Sequence, residues 1–297
     1  MKLPKLQKGD TIAIVAPAKA IDEQKVMFAK ERLEQVGFKV VLSEHMTDSF
    51  HYFSSDDNVR AQDFQTALNN PEVKAILCAR GGYGCIRILD RIDWAVQLQN
   101  PKWIIGFSDV TIFHQYLDKW EVPSLHATMP LDFQTGTENS IETLVETLTT
   151  AQFDYTISPS KYNKNGTATG KIIGGNLSIV YSLIGTNLQP EYLGKILFIE
   201  DVGEPLYAID RMFFALEKSG ILDQISGLIV GGMTQMKDSE PGFGKTYEEI
   251  IAEHLCYKDI PVCYNFPAGH QNENLALILG VETKMNVTDE HVSIKSI

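Results

Sequence analysis

The chain has 297 residues, 44% apolar and 22% charged, and its 26 Lys and Arg against 38 Asp and Glu leave a formal net charge of −12. That length can bury a sizeable core in one or two domains, and no apolar run approaches the ~20 residues that span a bilayer, so no membrane partner is expected. The acidic balance, without a basic run, excludes nucleic acid as the main partner, because phosphate neutralisation needs clustered Lys and Arg.

The N-terminus carries lysines but no apolar h-region, so no secretory signal is expected and a cytoplasmic location follows. Strands are predicted at 11–16, 38–43, 74–79 and 102–106, with a weaker one at 124–126. Helical patterns at 23–35, 58–69, 86–98 and 110–119 alternate with them. Gly37 and Pro71 punctuate two helix ends. Strands joined by crossover helices imply right-handed βαβ units and a parallel sheet. The segment 75–79 is apolar on both faces, as a central parallel strand should be. A helix at 140–149 closes this unit.

Residues 158–166 are polar and rich in turn formers, which reads as a linker. Beyond it the rhythm changes: strands at 169–173, 195–199, 227–230 and 261–264, helices at 177–184, 206–218 and 247–254, and short strands in the tail 275–294. Two domains are therefore expected, 1–152 and 169–297, with 153–168 between them. Cys78, Cys85, Cys256 and Cys263 form no C-x-x-C pair, so reduced core thiols and no metal site are expected.

The most informative run is Lys102-Trp-Ile-Ile-Gly-Phe-Ser-Asp-Val-Thr111, an apolar strand meeting a helix with Ser108 at the corner. That geometry belongs to a nucleophile elbow, although Val110 stands where the second glycine of G-x-S-x-G would be; a plain helix N-cap is the alternative. A serine nucleophile needs a base within reach. His114 lies six residues on, roughly 9 Å along the helix axis and about 240° around it, and cannot serve. His254 reads as packed or solvent-facing, and His45, His51 and His291 as surface residues. His126, after a short strand, remains a pocket candidate. His270, held between Gly269 and Gln271 in a loop stiffened by Pro267, is the remaining base candidate.

The orienting carboxylate is sought in Lys195-Ile-Leu-Phe-Ile-Glu-Asp-Val-Gly203, where Glu200 continues the buried run and Asp201 is the alternative. Asp210 and Arg211 read as a structural ion pair. Arg80-Gly-Gly-Tyr-Gly84 ends the central strand with free N–H groups suited to an anion, and lacks both the Walker and the dinucleotide spacing. Backbone N–H groups of Asp109 and of Gly81 or Gly82 are the candidate oxyanion donors. Arg80 and the glycine-loop amides are candidates for a substrate carboxylate. Gly174-Gly-Asn-Leu177 is a second tight turn into a helix.

In their joint order, Val15-Ala-Pro17, Arg80-Gly-Gly-Tyr-Gly84, Gly106-Phe-Ser-Asp109, Gly174-Gly-Asn-Leu177, Ile199-Glu-Asp-Val202 with Tyr207 and Ile209-Asp-Arg211, and Pro267-Ala-Gly-His270 resemble the LD-carboxypeptidase family of serine peptidases, the muramoyltetrapeptide carboxypeptidases. The resemblance implies a Ser–Glu–His triad at Ser108, Glu200 and His270. It also implies an α/β fold, with a flavodoxin-like parallel-sheet N-terminal domain, a smaller β-rich α/β C-terminal domain and the site between them. The implied activity, without a cofactor, is removal of the terminal D-alanine from murein tetrapeptides in cell-wall recycling, by a homodimer. Phe107 stands where relatives often carry tyrosine, and Ala127 where glycine is frequent. Two rivals are a microcin-C-type resistance peptidase cleaving a peptide–nucleotide carboxamide and a non-catalytic anion-binding domain. The first tends to carry an extra aromatic-bearing loop, and no such insertion stands between Gly185 and Lys195.

Overall fold

The computed structural model describes residues 3–297. Its first half contains β1 (Thr11–Val15), α1 (Glu23–Val36), β2 (Lys39–Leu42), α2 (Asp57–Asn69), β3 (Val73–Cys78), α3 (Cys85–Ile88), α4 (Ala95–Gln99), β4 (Trp103–Gly106), α5 (Thr111–Asp118), β5 (Ser124–His126) and α6 (Glu138–Thr150). The five strands pair in parallel in the order β5-β4-β3-β1-β2, the flavodoxin-like order. The apolar runs explain this arrangement. In β1, Ile12 and Ile14 enter one core while Ala13 and Val15 enter another; in β3, Ala75 and Leu77 oppose Ile76 and Cys78. A strand apolar on both faces must be covered on both, and the crossover helices provide the cover.

Local chemistry sets the helix ends. Asp22 accepts a hydrogen bond from the Gln24 N–H at the start of α1, and Gly37 closes that helix in the left-handed conformation. The predicted single helix over 86–98 is instead broken into α3, a 3₁₀ turn at Leu89–Arg91, and α4. Ile92 is extended, and the Gln65 amide bonds both the N–H and the carbonyl of Asp93, replacing helical partners there. Asp93 then caps the Ala95 N–H.

The second half contains β6 (Asp154–Ile157), β7 (Gly166–Asn176), α7 (Leu177–Ser182), β8 (Ile196–Val202), α8 (Leu206–Lys218), α9 (Ile221–Gln224), β9 (Gly227–Thr234), α10 (Tyr247–Leu255), β10 (Val262–Cys263), β11 (Leu277–Leu279), β12 (Glu282–Val287) and β13 (Val292–Ser296). A second sheet runs β10-β9-β8-β7-β12-β13-β6, parallel from β10 to β7 and antiparallel beyond. In β8, Leu197 and Ile199 face α7, α8 and α10, whereas Ile196 and Phe198 join the core that also holds Ile12 and Leu77. The two sheets thus share one apolar interior. β11 belongs to the first sheet, pairing antiparallel with β5. Among the described residues, no helix is long and apolar enough to cross a membrane. The consequence for function is geometric: the carboxyl ends of β3, β4 and β8 meet at one place.

Candidate active site

Ser108 stands where β4 turns into a 3₁₀ turn and then α5, with φ of +63°. A left-handed serine costs about 1–3 kcal/mol, which the fixed strand and helix on either side must hold. Glycine adopts this conformation freely, so Ser108→Gly should unfold at higher urea than Ser108→Ala, by about 1 kcal/mol, although both lack the hydroxyl. Equal or reversed midpoints in the two variants would contradict a strained corner.

His270 lies across from this corner. Its Nε2 is 3.1 Å from Ser108 Oγ and its Nδ1 is 2.6 Å from Glu200 Oε2. A carboxylate only accepts, so Nδ1 carries the proton and the Nε2 lone pair faces the hydroxyl. Glu200 Oε2 also accepts the backbone N–H of His270 at 3.1 Å. Two donors on one oxygen fix both ring and loop. Glu200 is fully buried at the end of β8, and its Oε1 has no hydrogen-bond partner. Gly269 permits this approach: its φ is +104°, and a Cβ there would stand 2.6 Å from Glu200 Oε2. The loop is pinned further by Thr234 Oγ1 donating to the His270 carbonyl at 2.6 Å. Asn274 Oδ1 accepts the Gly269 N–H, while its own N–H reaches Ser140 Oγ at the start of α6.

The glycine loop after β3 presses against the same corner. A Cβ on Gly81 would lie 2.8 Å from Ser108 Cβ and 3.2 Å from the Asp109 nitrogen, so the candidate oxyanion segments adjoin. The Asp109 carboxylate accepts the Cys85 N–H at 2.8 Å, tying the elbow to the start of α3. Buried Arg60 donates to the carbonyls of Pro17 and Gly84, the latter at 3.1 Å, and so clamps the loops after β1 and β3 together. Arg80, Gly81, Gly82, Ser108, Asp132 and His270 are among the residues lining a cavity of about 470 Å³. Arg80 Nη1 donates to the Ala20 carbonyl at 3.0 Å, and its buried Nε has no partner.

The other candidates lie elsewhere. His114 is buried, bonded to Ser124 Oγ and the Gly106 carbonyl, and burial lowers its pKa to about 4. His126 does not line the cavity; it is buried between the rings of Phe107 and Phe198, with neither nitrogen hydrogen-bonded. Asp201 turns away from His270, accepting from Asn176 Nδ2 at 2.9 Å and the Ser178 N–H at 2.8 Å. Burial and the neighbouring Glu200 raise its pKa to about 6. The expected Asp210–Arg211 pair is absent among the described ion pairs: Asp210 bonds His254 Nε2 at 3.2 Å, and Arg211 lies over the Tyr207 ring. The two are consecutive in α8, where neighbours in sequence do not face each other. Gly174 and Gly175 end β7 rather than forming a separate turn, and Asn176 caps α7. Arg60, Thr234, Asn274 and Asp132 were not anticipated from the sequence; as polar residues outside any apolar period, they carry no local signal.

Burial alone would lower the His270 pKa. The charge and hydrogen bond of Glu200, helped by the charges of Asp201 and Asp132, outweigh it and raise that pKa above the ordinary histidine value. A protonated Nε2 accepts nothing, so activity should be lost as pH falls through this raised value. The acid limb of kcat/KM should then lie above ~6.5, and Glu200→Gln should move it to lower pH. A limb at or below the free imidazole value in the wild type would overturn the assignment of His270 as base.

A flavodoxin-like sheet presenting a strained serine to a histidine–carboxylate pair has the form of a serine hydrolase. Comparison with known families makes this specific. Residues 12–127 match the LD-carboxypeptidase N-terminal domain and residues 169–285 the LD-carboxypeptidase C-terminal domain. The chain belongs to the LD-carboxypeptidase family. It is 31% identical to a probable murein peptide carboxypeptidase of Bacillus subtilis, over 98% of this chain and 93% of that one. It is 29% identical to the microcin C7 self-immunity protein MccF of Escherichia coli, over 97% and 94%. The crystal structure of muramoyltetrapeptide carboxypeptidase from Oxalobacter formigenes superposes with a TM-score of 0.89 at 28% identity, covering 96% of this chain and 98% of that one.

Proposed function

We propose that this protein is a serine-type LD-carboxypeptidase that hydrolyses the bond to the terminal D-alanine of murein tetrapeptides in cell-wall recycling. The observation that carries the reading is the unbroken series Ser108–His270–Glu200, at 3.1 and 2.6 Å, opening on a cavity that also holds Arg80. Ser108 Oγ attacks the carbonyl of the third residue while its proton passes to His270 Nε2. Glu200 stabilises the imidazolium so formed. The oxyanion is received by the N–H of Asp109 and that of Gly81 or Gly82. Collapse breaks the C–N bond, His270 returns the proton to the departing amine, and D-alanine leaves. Water then attacks the acyl-serine with His270 again as base, releasing the tripeptide acid and restoring the hydroxyl. Arg80 and the loop amides hold the terminal carboxylate.

Ser108 belongs to a domain ending at 152 and Glu200 and His270 to one beginning at 169, with 153–168 as their connection. The proposal includes a cytoplasmic homodimer, which light scattering checks by mass. MccF keeps the peptide–nucleotide carboxamide reading as a rival, set against it by the short segment between Gly185 and Lys195. A fluorophosphonate reagent should label Ser108 in the wild type and not in His270→Ala. A protein left unlabelled would instead fit an anion-binding domain.

A further inference from the structure

The glycine loop 79–84 carries one of the two proposed oxyanion donors, and its own residues do little to hold it still. Gly82 and Gly84 stand at φ of +111° and +148°, where glycine turns freely and an unheld peptide plane can rotate. The near end is secured to the sheet, the Ala79 N–H donating to the Val15 carbonyl at 2.7 Å. The far end is the Gly84–Cys85 peptide at the start of α3, a helix with no capping side chain of its own. Two buried charged side chains hold that single peptide group from opposite ends. Asp109 Oδ2 accepts its N–H at 2.8 Å, and Arg60 Nη1 donates to its carbonyl at 3.1 Å. The signs suit the peptide dipole, negative charge on the N–H and positive charge on the oxygen. Gly84 is needed for this grip, since a Cβ there would lie 2.8 Å from Arg60 Nη1 and 2.9 Å from Ala18 Cα. Burial raises the Asp109 pKa, while the Cys85 N–H and thiol, the Arg60 charge and the Gly84 N–H draw it back.

We infer that the Asp109 carboxylate, with Arg60, is a positioning group for the oxyanion hole: it locks the glycine loop against the nucleophile corner so that donors from two strands face one point. This role rests on the carboxypeptidase reading above and adds what sets the geometry of the hole. Asp109 then acts twice, its own N–H meeting the oxyanion and its side chain fixing the loop that brings the second donor. The two segments are close enough to transmit a small shift. A Cβ on Gly81 would stand 2.8 Å from Ser108 Cβ and 3.2 Å from the Asp109 nitrogen. Such a site must be held to within about 0.5 Å, and a displacement of about 1 Å can cost about 10²-fold in rate. A backbone N–H cannot be deleted by changing a side chain, so the side chains that hold it are where the hole can be probed.

Three variants test this: Asp109→Ala, Asp109→Asn, which keeps an acceptor oxygen, and Arg60→Met, which frees the carbonyl end. Activity is expressed per serine labelled to completion by a fluorophosphonate, so that misfolded protein does not count. Asp109→Ala should lower kcat about 10²-fold and Arg60→Met about 10–100-fold, whereas Asp109→Asn should stay within about tenfold of wild type. The probe of the hole is a tripeptide whose terminal carboxyl is replaced by a boronic acid. Ser108 Oγ adds to the boron, the hydroxyl proton passing to His270, and one boronate oxygen takes the place of the oxyanion. This probe lacks the terminal D-alanine, so its Ki reports the hole and not the contact with Arg80. Across the variants Ki should rise by the factor that kcat/KM falls, to within about threefold. A purely structural clamp would lower the urea midpoint and leave kcat per labelled serine and Ki unmoved. That result, or a raised KM with Ki unchanged, overturns the inference alone. Arg60→Met reports on the same peptide group if Asp109→Ala fails to fold. A wild type that releases no D-alanine overturns the carboxypeptidase reading and the inference with it.

Discussion

Ser108→Ala and His270→Ala should each lower kcat by about 10⁴–10⁶, and the double variant should be no worse than the poorer single one. The hydroxyl is a weak nucleophile unless its proton has somewhere to go, and Nε2 at 3.1 Å is the acceptor placed to take it. Either loss disables the same step, so the second adds little. Glu200→Gln should cost less, on the order of 10²–10⁴, because the ring stays near its place while the imidazolium loses its counter-charge. Multiplicative losses in the double variant, measured by single-turnover release of D-alanine, would show that the two side chains act separately.

The second large effect concerns the substrate's end. A tetrapeptide with a C-terminal amide should be cleaved about 10³–10⁵ times more slowly than the free acid, since a site built for a charged group is left with unpaired donors. Arg80 makes this concrete. It lines the cavity, its Nη1 is tied to Ala20, and among the described residues its buried Nε has no hydrogen-bond partner and its guanidinium no ion pair. The all-L isomer should likewise resist, because inverting the last centre swaps the places of methyl and carboxylate relative to Ser108. Comparable turnover of the free acid and the amide would remove the carboxylate site from the account; comparable turnover of the all-L isomer would remove its stereochemistry.

The sheet order could be read because β1, β3 and β4 are apolar throughout and separated by crossover helices. What escaped was non-local. β11 pairs with β5 across some 150 residues of chain, and nothing in Leu277–Leu279 says which sheet it will join. β6 was hidden inside the expected connection because Asp154 and Thr156 interrupt its apolar pattern, although Tyr155 and Ile157 still face β13 and the shared core. The helix expected over 86–98 failed because a distant glutamine side chain satisfies the backbone at Asp93, a contact no local window contains. At the site, Ser108 was legible from the change of period at Gly106. Residue chemistry alone left His126 and Asp201 open, and only the family resemblance chose Glu200 and His270 outright. The structure brings those two to Ser108, while His126 is walled off by Phe107 and Asp201 is spent on Asn176 and Ser178. Arg60 and Asn274, which hold the loops, carry no signature because a clamp is defined by what it reaches.

The most direct measurement is the amino acid released from a free murein tetrapeptide, identified by chiral chromatography beside mass spectrometry of the shortened peptide. Purified protein should release one equivalent of D-alanine and leave the tripeptide acid, and Ser108→Ala should release none. No release, release undiminished in Ser108→Ala, or preferential cleavage of a peptide–nucleotide carboxamide offered in competition would contradict the account.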